Sequence, residues 1–370
     1  MKLFSLLLIV VLLQCSLFVK ETRRVVLTSQ EKELAGQLML NPDYLAELQA
    51  KPLYRFSPND LDAYLRFIHL YKPDLRDRIQ YLARKNLTQP YEIYLLGEFP
   101  FEIYDLQPIF CQDRSDCVVF SEHTYAMALA RNWQEFMVIL QNIRYQDGRI
   151  GMLTRNHYTE LDWDRNNSWL VTDITEEIGG EYMQADTVVI DKRNFFKRMG
   201  IGQDLSPDTL VLSYIPAEHL TKVSSRLQPG DFINIVRGPE PGQPGSKYVG
   251  HVGLITRDSS GQLNMLHSTM PAVIEQPLHS VYFPYDQFNH NRHQTNLRTA
   301  EENRKIIAHN QSIRQKYGDS RPEKFKKTKA LLPFFYGFKF LRLNPDPIQE
   351  LKKRSSSPDS LYIRYGVPMP

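Results

Sequence analysis

The chain has 370 residues, of which 42% are hydrophobic and 24% are charged, and its formal net charge at pH 7 is only +3. This composition can bury a full core, which excludes a disordered protein, and the length suits two domains or one large elaborated domain. Because the net charge is small, it gives no electrostatic footprint for nucleic acid, and we expect no nucleic-acid partner. The chain shows no internal repeat.

The N-terminus has the pattern of a targeting segment. Lys2 precedes an apolar run from Leu3 to Leu13 that is too short for a comfortable membrane span. We therefore interpret residues 1–24 as a signal peptide, with an uncleaved anchor and membrane tether as the alternative, and place the rest of the chain outside the cytoplasm. Lipoprotein anchoring through Cys15 is disfavoured because Gln14, and not a small residue, precedes it.

Three cysteines in so long a chain do not make a disulfide framework. If Cys15 lies in the leader, Cys111 and Cys117 remain, and they are close enough in sequence to bridge in an oxidising compartment. A bridge would mask the Cys117 thiol, so the sequence leaves a disulfide and a free thiol as alternatives.

Residues 25–94 predict a helical N-terminal lobe. Leucines recur there near helical spacing, with breaks at Asn41-Pro42 and Lys72-Pro73. The segment from Leu95 to Pro108 is rich in aromatic residues and prolines, which indicates a loop that leads to the next helix.

Cys117 is predicted to lie in the first turn of a helix. Asp116 is a good N-cap, and the segment from Val118 to Arg131 supplies strong helix formers with one apolar stripe. The partial positive charge of a helix start can lower a thiol pKa from about 8.5 to between about 3.5 and 7.5. The free N–H groups there can also hold an oxyanion, an effect worth roughly 3 kcal/mol per donor.

Three short strands are predicted further along the chain. They cover Asp231 to Arg237, Tyr248 to Thr256 and Leu263 to Ser268, and a turn at 258–261 joins the last two. Such a succession predicts an antiparallel meander on which His251 and His267 can face the same side. A cysteine helix packed on this meander gives an α+β fold with the layout of a thiol nucleophile, its base and an orienting group.

The last part of the chain is more polar. Residues 285–330 look like an insertion, whose basic cluster from Lys324 to Lys329 is read as a solvated surface, with a membrane- or wall-binding patch as the alternative. Residues 331–343 are apolar and predict a late strand, and residues 352–370 predict a flexible tail.

Several separated segments together resemble the NlpC-type cysteine hydrolases of the bacterial cell wall. Further segments narrow the resemblance to the N-acetylmuramoyl-L-alanine amidase-like family, over roughly residues 95–282. It implies a papain-like core with a helical N-terminal lobe, in a hydrolase domain at 95–351. The segments that carry it are Asp116-Cys117, Arg155-Asn156-His157-Tyr158, Asp162-Trp163, Asn166-Asn167, Asp173-Ile174-Thr175, Ile215-Pro216, Gly230-Asp231, Gly250-His251-Val252-Gly253-Leu254-Ile255 and Leu266-His267-Ser268.

The resemblance also implies roles for individual residues. Cys117 is the expected nucleophile, His251 the general base and then acid, and His267 the group that orients His251. Relatives often carry a tyrosine before the nucleophile, and Tyr104 is the substitute here because the matching stretch has phenylalanine. An arginine in the cleft can pair with a carboxylate and a tryptophan can pack on a sugar. The expected cleft residues are Arg155, His157, Asp162, Trp163 and Asn167.

The implied function is that of an exported cysteine amidase of the bacterial periplasm or cell envelope. It is expected to cleave the N-acetylmuramoyl-L-alanine amide of peptidoglycan or muropeptides, without a cofactor or metal. A stem-peptide endopeptidase, a thiol acyltransferase or lipid hydrolase, and a non-catalytic wall-binding protein are the alternatives. A metal hydrolase that uses Cys117, His157, His251 and His267 is disfavoured because no paired-ligand spacing such as His-Glu-x-x-His occurs.

Overall fold

The computed structural model describes residues 25–97, 109–197, 200–202 and 204–354. The predicted leader at 1–24, Tyr104 and the predicted tail beyond residue 354 lie outside the described residues. Within those ranges, no helix combines the length and the apolar character that crossing a bilayer requires.

The helices between Ser29 and Leu129 follow the predicted helical regions, whereas those at Trp133–Arg144 and Pro347–Arg354 were not predicted. Each of the first six begins at a capped residue, for example Thr28, Ser57 and Asp116, whose side chains accept from backbone N–H groups of the first turn. The helices are α1 Ser29–Gln37, α2 Pro42–Ala50, α3 Pro58–Tyr71, α4 Leu75–Lys85, α5 Cys117–Leu129, α6 Trp133–Arg144, α7 Tyr285–Tyr317 and α8 Pro347–Arg354, with shorter helical segments Thr159–Trp163, Asp164–Asn166, Thr175–Gly179, Arg193–Phe196 and Leu220–Val223.

In the described part of the chain, eight strands form one antiparallel sheet, in the order β2-β3-β8-β4-β5-β6-β7, with β1 paired to β8. The predicted α+β class with an antiparallel sheet is confirmed, including the meander and the late strand. The strands are β1 Val171–Asp173, β2 Gln184–Ile190, β3 Asp208–Pro216, β4 Phe232–Gly238, β5 Tyr248–Arg257, β6 Leu263–Ser268, β7 Val273–Pro277 and β8 Phe334–Leu343.

Helix α5 is the centre of the molecule. Every residue from Val119 to Leu129 is buried, because α4, α6 and the strands β5 and β6 pack around it. A helix enclosed on all sides has no solvent face, so even its polar residues Ser121, Glu122, His123 and Thr124 are buried. The cysteine at its first position is consequently held by a rigid element.

The N-terminal helices share one hydrophobic core with α5 and the sheet. Two ion pairs reinforce this contact, Arg84 to Glu275 at 2.7 Å and Arg76 to Asp231 at 3.2 Å. The predicted boundary at residue 94 therefore separates two segments that are packed as one unit. Helix α8 likewise extends to Arg354, so the predicted tail begins inside its last turn.

Helix α7 occupies most of the predicted insertion and is fastened by four asparagines spaced seven residues apart. Each side chain both donates to the carbonyl and accepts from the N–H of one residue in the extended segment before and into β8, at N···O distances of 2.7–3.0 Å. Seven helical residues and three extended residues both span about 10 Å, so the two spacings match. The pairs are Asn289 with Phe335, Asn296 with Leu332, Asn303 with Lys329 and Asn310 with Lys326; we call them the asparagine ladder.

Candidate active site

Cys117 is the first residue of α5, and Asp116 caps this helix by accepting from Val119 N at 2.8 Å. Cys111 and Cys117 are both free thiols, so the disulfide alternative is not the arrangement in this structure. The backbone N–H groups of Val252 and Val118 lie close enough to the Cys117 sulfur to lower the pKa of the thiol. Since Val252 follows His251 directly, the thiol lies beside the middle of the histidine strand.

The pKa of the Cys117 thiol is raised, whereas the sequence predicts that the helix start lowers it. Burial raises this pKa to about 12, and the negative charge of Asp116 raises it further. The backbone N–H groups and the charge of Arg237 lower it, but they do not overcome the burial. Cys117 is therefore a neutral thiol in the resting site, and not the thiolate that its position at a helix start predicts.

His251 and His267 form a direct pair. Nε2 of His251 lies 2.6 Å from Nδ1 of His267, and the two rings are nearly perpendicular, at 71°. Burial lowers the pKa of His251 well below its usual range, with the charges of His267 and Arg237 adding to the effect, and burial lowers the pKa of His267 to about 4. Both rings are consequently neutral at pH 7. The pairing occupies Nε2 of His251, which leaves its Nδ1 to exchange a proton.

A buried hydrogen-bond network ties the cysteine segment to the histidine strand. Ser268, next to His267, donates from Oγ to the carbonyl of Ser115 at 2.8 Å. Ser115 Oγ lies 3.0 Å from Ser268 Oγ and donates to Gln89 Oε1 at 2.7 Å. The network fixes the distance between the strand that carries His267 and the residues just before Cys117.

Tyr91 is a site residue that the sequence reasoning missed. It forms a bridge with Ser115, and its phenol is close enough to Cys117 and Asp116 for their negative charges, after burial, to raise its pKa. The sequence reasoning sought the tyrosine in the loop at 97–104. The only sequence signal for Tyr91 is that it is a tyrosine on the N-terminal side of Cys117.

Trp163 and Asn167 are core residues, so the predicted contact of both with substrate is wrong. Trp163 is 1% exposed, stacks on Phe232 with ring centroids 4.5 Å apart, and donates from Nε1 to Glu122. Asn167 is fully buried and donates to the carbonyl of Ile143. Trp163 therefore has no face left for a sugar.

A buried ion pair joins α5 to α6. Glu122 of α5 accepts from Nη1 of Arg144 at 3.0 Å, and both side chains are at most 4% exposed. Burial raises the pKa of Asp116 and of Glu122, whereas the positive charges of Arg144 and Arg155 lower both. The predicted cleft residue Arg155 is thus located near the carboxylates of α5.

A groove of about 470 Å³ lies next to the start of β5. His157 lines it, with Nε2 2.7 Å from the carbonyl of Met152, and burial lowers the pKa of His157 to about 4. Glu160 also lines it, and burial raises the pKa of Glu160 to about 7. The other lining residues are Tyr158, Thr159, Val189, Ile190, Asp191, Ser246, Lys247, Tyr248 and Val249.

Asp162 lies near this groove and is engaged within the protein. It pairs with Lys192 at 2.8 Å and accepts from the backbone N–H of Tyr158. Across the described ranges, no group of three or more His, Cys, Asp and Glu side chains could hold a metal ion.

The candidate site lies in a part of the chain that matches a known protein family. The sequence model described as AmiA-like, N-acetylmuramoyl-L-alanine amidase-like, matches residues 81–282, which include Cys117, His251 and His267. A search of curated proteins found no match.

Solved structures give a similarity of fold. Protein LPG0564 from Legionella pneumophila str. Philadelphia 1 has a TM-score of 0.55 and 19% sequence identity, over 78% of this chain and 95% of that one. An N-acetylmuramoyl-L-alanine amidase from Bacteroides uniformis has a TM-score of 0.47 and 19% identity, over 73% of this chain and 99% of that one. Only the first of these TM-scores exceeds 0.5. At 19% identity, that likeness concerns the fold alone.

Proposed function

Because the chain belongs to the N-acetylmuramoyl-L-alanine amidase-like family, we propose that it is a cysteine amidase that cleaves the amide between the muramoyl lactyl group and L-alanine. The substrate is peptidoglycan or a muropeptide released from it. One observation carries the proposal: Cys117 begins a buried helix, and its sulfur lies beside the strand of the His251–His267 pair. A thiol on a helix and its base on a sheet also support a papain-like core of the NlpC type.

The first step follows from the protonation states of the resting site. The pKa of Cys117 is raised and the pKa of His251 is lowered, so a neutral thiol faces a neutral imidazole. As the sulfur attacks the amide carbonyl carbon, its proton passes to His251 Nδ1 and the carbonyl π electrons move to oxygen. We assign the backbone N–H of Val118 and the Tyr91 hydroxyl as the donors that hold this oxyanion.

The remaining steps return the enzyme to its starting state. The C–N bond breaks, and the imidazolium of His251 gives its proton to the departing L-alanine nitrogen. Water then attacks the thioester, His251 takes the proton of that water, and the lactyl carboxylate leaves as the thiol is restored. His267 holds His251 in the required tautomer by accepting from Nε2–H, so that Nδ1 stays unprotonated.

We also propose that the enzyme is exported and acts in the bacterial periplasm or cell envelope. The charge at Lys2 and the apolar run from Leu3 to Leu13 support this localisation.

Defined muropeptides test the proposal. Incubation with the purified protein, followed by mass spectrometry, is expected to show a peptide with a free L-alanine amine and a muramic acid with a free lactyl carboxylate. The Cys117→Ala variant should keep the fold and form neither product. Cleavage within the stem peptide would instead establish the endopeptidase alternative, and release of fatty acid from lipid would establish the lipid hydrolase.

A further inference from the structure

Two arginines from distant parts of the chain meet on one aromatic cluster beside the candidate site. Arg237 of β4 donates from Nη2 to the Tyr282 hydroxyl, and its guanidinium carbon lies 5.3 Å from the centre of that ring. Tyr282 packs on Phe288 with centroids 4.6 Å apart, and Arg292 of α7 lies over Phe288 at 4.4 Å. The two guanidinium groups thus share one aromatic support.

Arg237 reaches this place by crossing the histidine strand. A side chain at Gly250 would put its Cβ 2.6 Å from Cδ of Arg237, so the arginine stem lies directly over the residue before His251. The Tyr248 ring lies over the same glycine, 3.2 Å from that Cβ position, and also lines the groove. The Arg237 stem therefore lies against the strand position next to His251, beside an aromatic ring that lines the groove.

Neither arginine has a carboxylate partner among the described residues. The hydrogen bond from Arg237 goes to Tyr282, and its buried Nε has no partner. The carboxylate of Glu240 is already paired with His293 of α7 at 2.6 Å. Placing two like charges together, partly buried and without a counter-ion, is costly unless a ligand supplies the negative charge.

We infer that Arg237 and Arg292 form a subsite that binds a carboxylate of the substrate's stem peptide next to the Cys117–His251 pair. The inference rests on the proposed function, because it assigns the anion to the peptide that the enzyme releases. Guanidinium forks match carboxylate geometry. Because Arg237 donates to the Tyr282 oxygen, the Tyr282 hydroxyl proton is free to bind the same carboxylate.

The asparagine ladder positions one half of this subsite. Asn289 and Asn296 flank Arg292 on α7 and clamp the helix to Phe335 and Leu332. Helix α7 starts beyond residue 282, where the family match ends. The insertion therefore contributes a specificity residue to a site whose reacting groups come from the family core.

Two muramyl dipeptides that differ in one group test the subsite. N-acetylmuramoyl-L-alanyl-D-glutamate carries a carboxylate where N-acetylmuramoyl-L-alanyl-D-isoglutamine carries a neutral carboxamide. The wild type is expected to hydrolyse the carboxylate compound with a kcat/KM about tenfold or more higher, the value of one lost charge-assisted contact. In Arg292→Gln that ratio should fall to about one, and in Arg292→Lys to an intermediate value.

Arg298→Gln is the matched control, because Arg298 is an exposed arginine on the same helix; it should keep the wild-type ratio. Thermal melting shows whether each variant folds. A wild-type ratio within about twofold of one, or an unchanged ratio in folded Arg292→Gln, overturns the inference.

Failure of the proposed function gives a different result. If the wild type hydrolyses neither compound, the affinities of the two compounds for the Cys117→Ala protein, measured by calorimetry, test the subsite independently of catalysis. Tighter binding of the carboxylate compound by about tenfold, lost in Cys117→Ala/Arg292→Gln, supports the subsite, and equal binding of the two compounds contradicts it.

Discussion

At the scale of single residues, the order of proton transfer and attack depends on whether Cys117 is protonated before the substrate binds. A helix start favours a thiolate, yet here burial and Asp116 raise the pKa of the thiol to about 12. Burial and a hydrogen bond to Asp113 likewise raise the pKa of Cys111, to about 11. In the proposed mechanism, neutral His251 therefore takes the thiol proton during attack, and no thiolate–imidazolium pair forms before the substrate binds.

The pH dependence of alkylation follows from these pKa directions. The fraction of Cys117 thiolate rises tenfold per pH unit below the thiol pKa, so its reaction with iodoacetamide should accelerate from pH 6 to pH 9 without an acid plateau. The His251→Ala variant should react more slowly at pH 7, because the base that accepts the proton is gone. Peptide mass spectrometry after timed alkylation measures both rates.

The exposed His279 provides the control: His279→Ala should follow the wild-type profile. A plateau at pH 5 would indicate a preformed ion pair, and an identical profile in His251→Ala would remove His251 from the site.

The sequence was informative about the reacting groups and poor on their surroundings. The placement of Cys117, His251 and His267 could be predicted because a capped helix and a short meander are local sequence patterns. Trp163 was misassigned because a tryptophan in a motif looks the same whether it faces a sugar or the core. Tyr91 was missed because its proximity to Cys117 depends on a bridge to Ser115, a contact that no local pattern encodes.

At the scale of secondary-structure elements, the strands that the sequence predicts, β4, β5, β6 and β8, each contain several buried residues in succession. Strand β2 was missed because it contains a single buried residue, Val188, and therefore lacks the alternation of a half-buried strand. The asparagine ladder was also missed. Its seven-residue spacing is visible in the sequence, but its meaning depends on a partner segment that runs antiparallel to α7.

The ladder should make a measurable contribution to stability. Asn296 is 5% exposed and satisfies both backbone groups of Leu332. Asn296→Ala leaves those groups unpaired, which is expected to lower the free energy of unfolding by about 1–3 kcal/mol in urea denaturation.

Asn291 is the matched control for the ladder. It lies on the exposed face of α7 and its side chain accepts from the neighbouring Gln287 on the same helix, so Asn291→Ala should change the free energy of unfolding by less than about 0.5 kcal/mol. Equal losses in the two variants would show that the ladder adds nothing beyond helix propensity.

At the scale of the whole molecule, the predicted helical lobe and hydrolase region share one core, which sequence periodicity could not reveal because it reports one element at a time.

Several histidines of the molecule are buried and neutral. His123 stacks on Phe110 with centroids 5.3 Å apart, and burial lowers its pKa to about 3. Burial likewise lowers the pKa values of His157 and His267 to about 4.

These histidines should make the protein sensitive to acid. A lowered folded-state pKa means that the unfolded chain binds protons first, so stability is intact above about pH 6.5 and is lost as the pH falls toward the folded-state values. For His123 the loss at pH 5 is about 2 kcal/mol. His123→Phe fits the aromatic cluster and should reduce the drop in unfolding free energy between pH 7 and pH 5 by about that amount.

Denaturant titrations at the two pH values measure this difference. His290→Gln alters an exposed histidine and should leave the acid sensitivity unchanged. An equally steep loss of stability in His123→Phe would show that His123 is not protonated on unfolding in this range.

In the proposed mechanism Cys117 carries the acyl group during turnover, so this acyl-enzyme can be trapped and located in the chain. The protein is mixed with a muropeptide, quenched in acid within the turnover time and digested with trypsin, which separates Cys111 from Cys117 at Arg114. We predict a muramoyl mass increment on the peptide from Ser115 to Arg131, and none on the peptide that contains Cys111. Turnover without any adduct on the Cys117 peptide, or an adduct on Cys111 instead, would contradict the account.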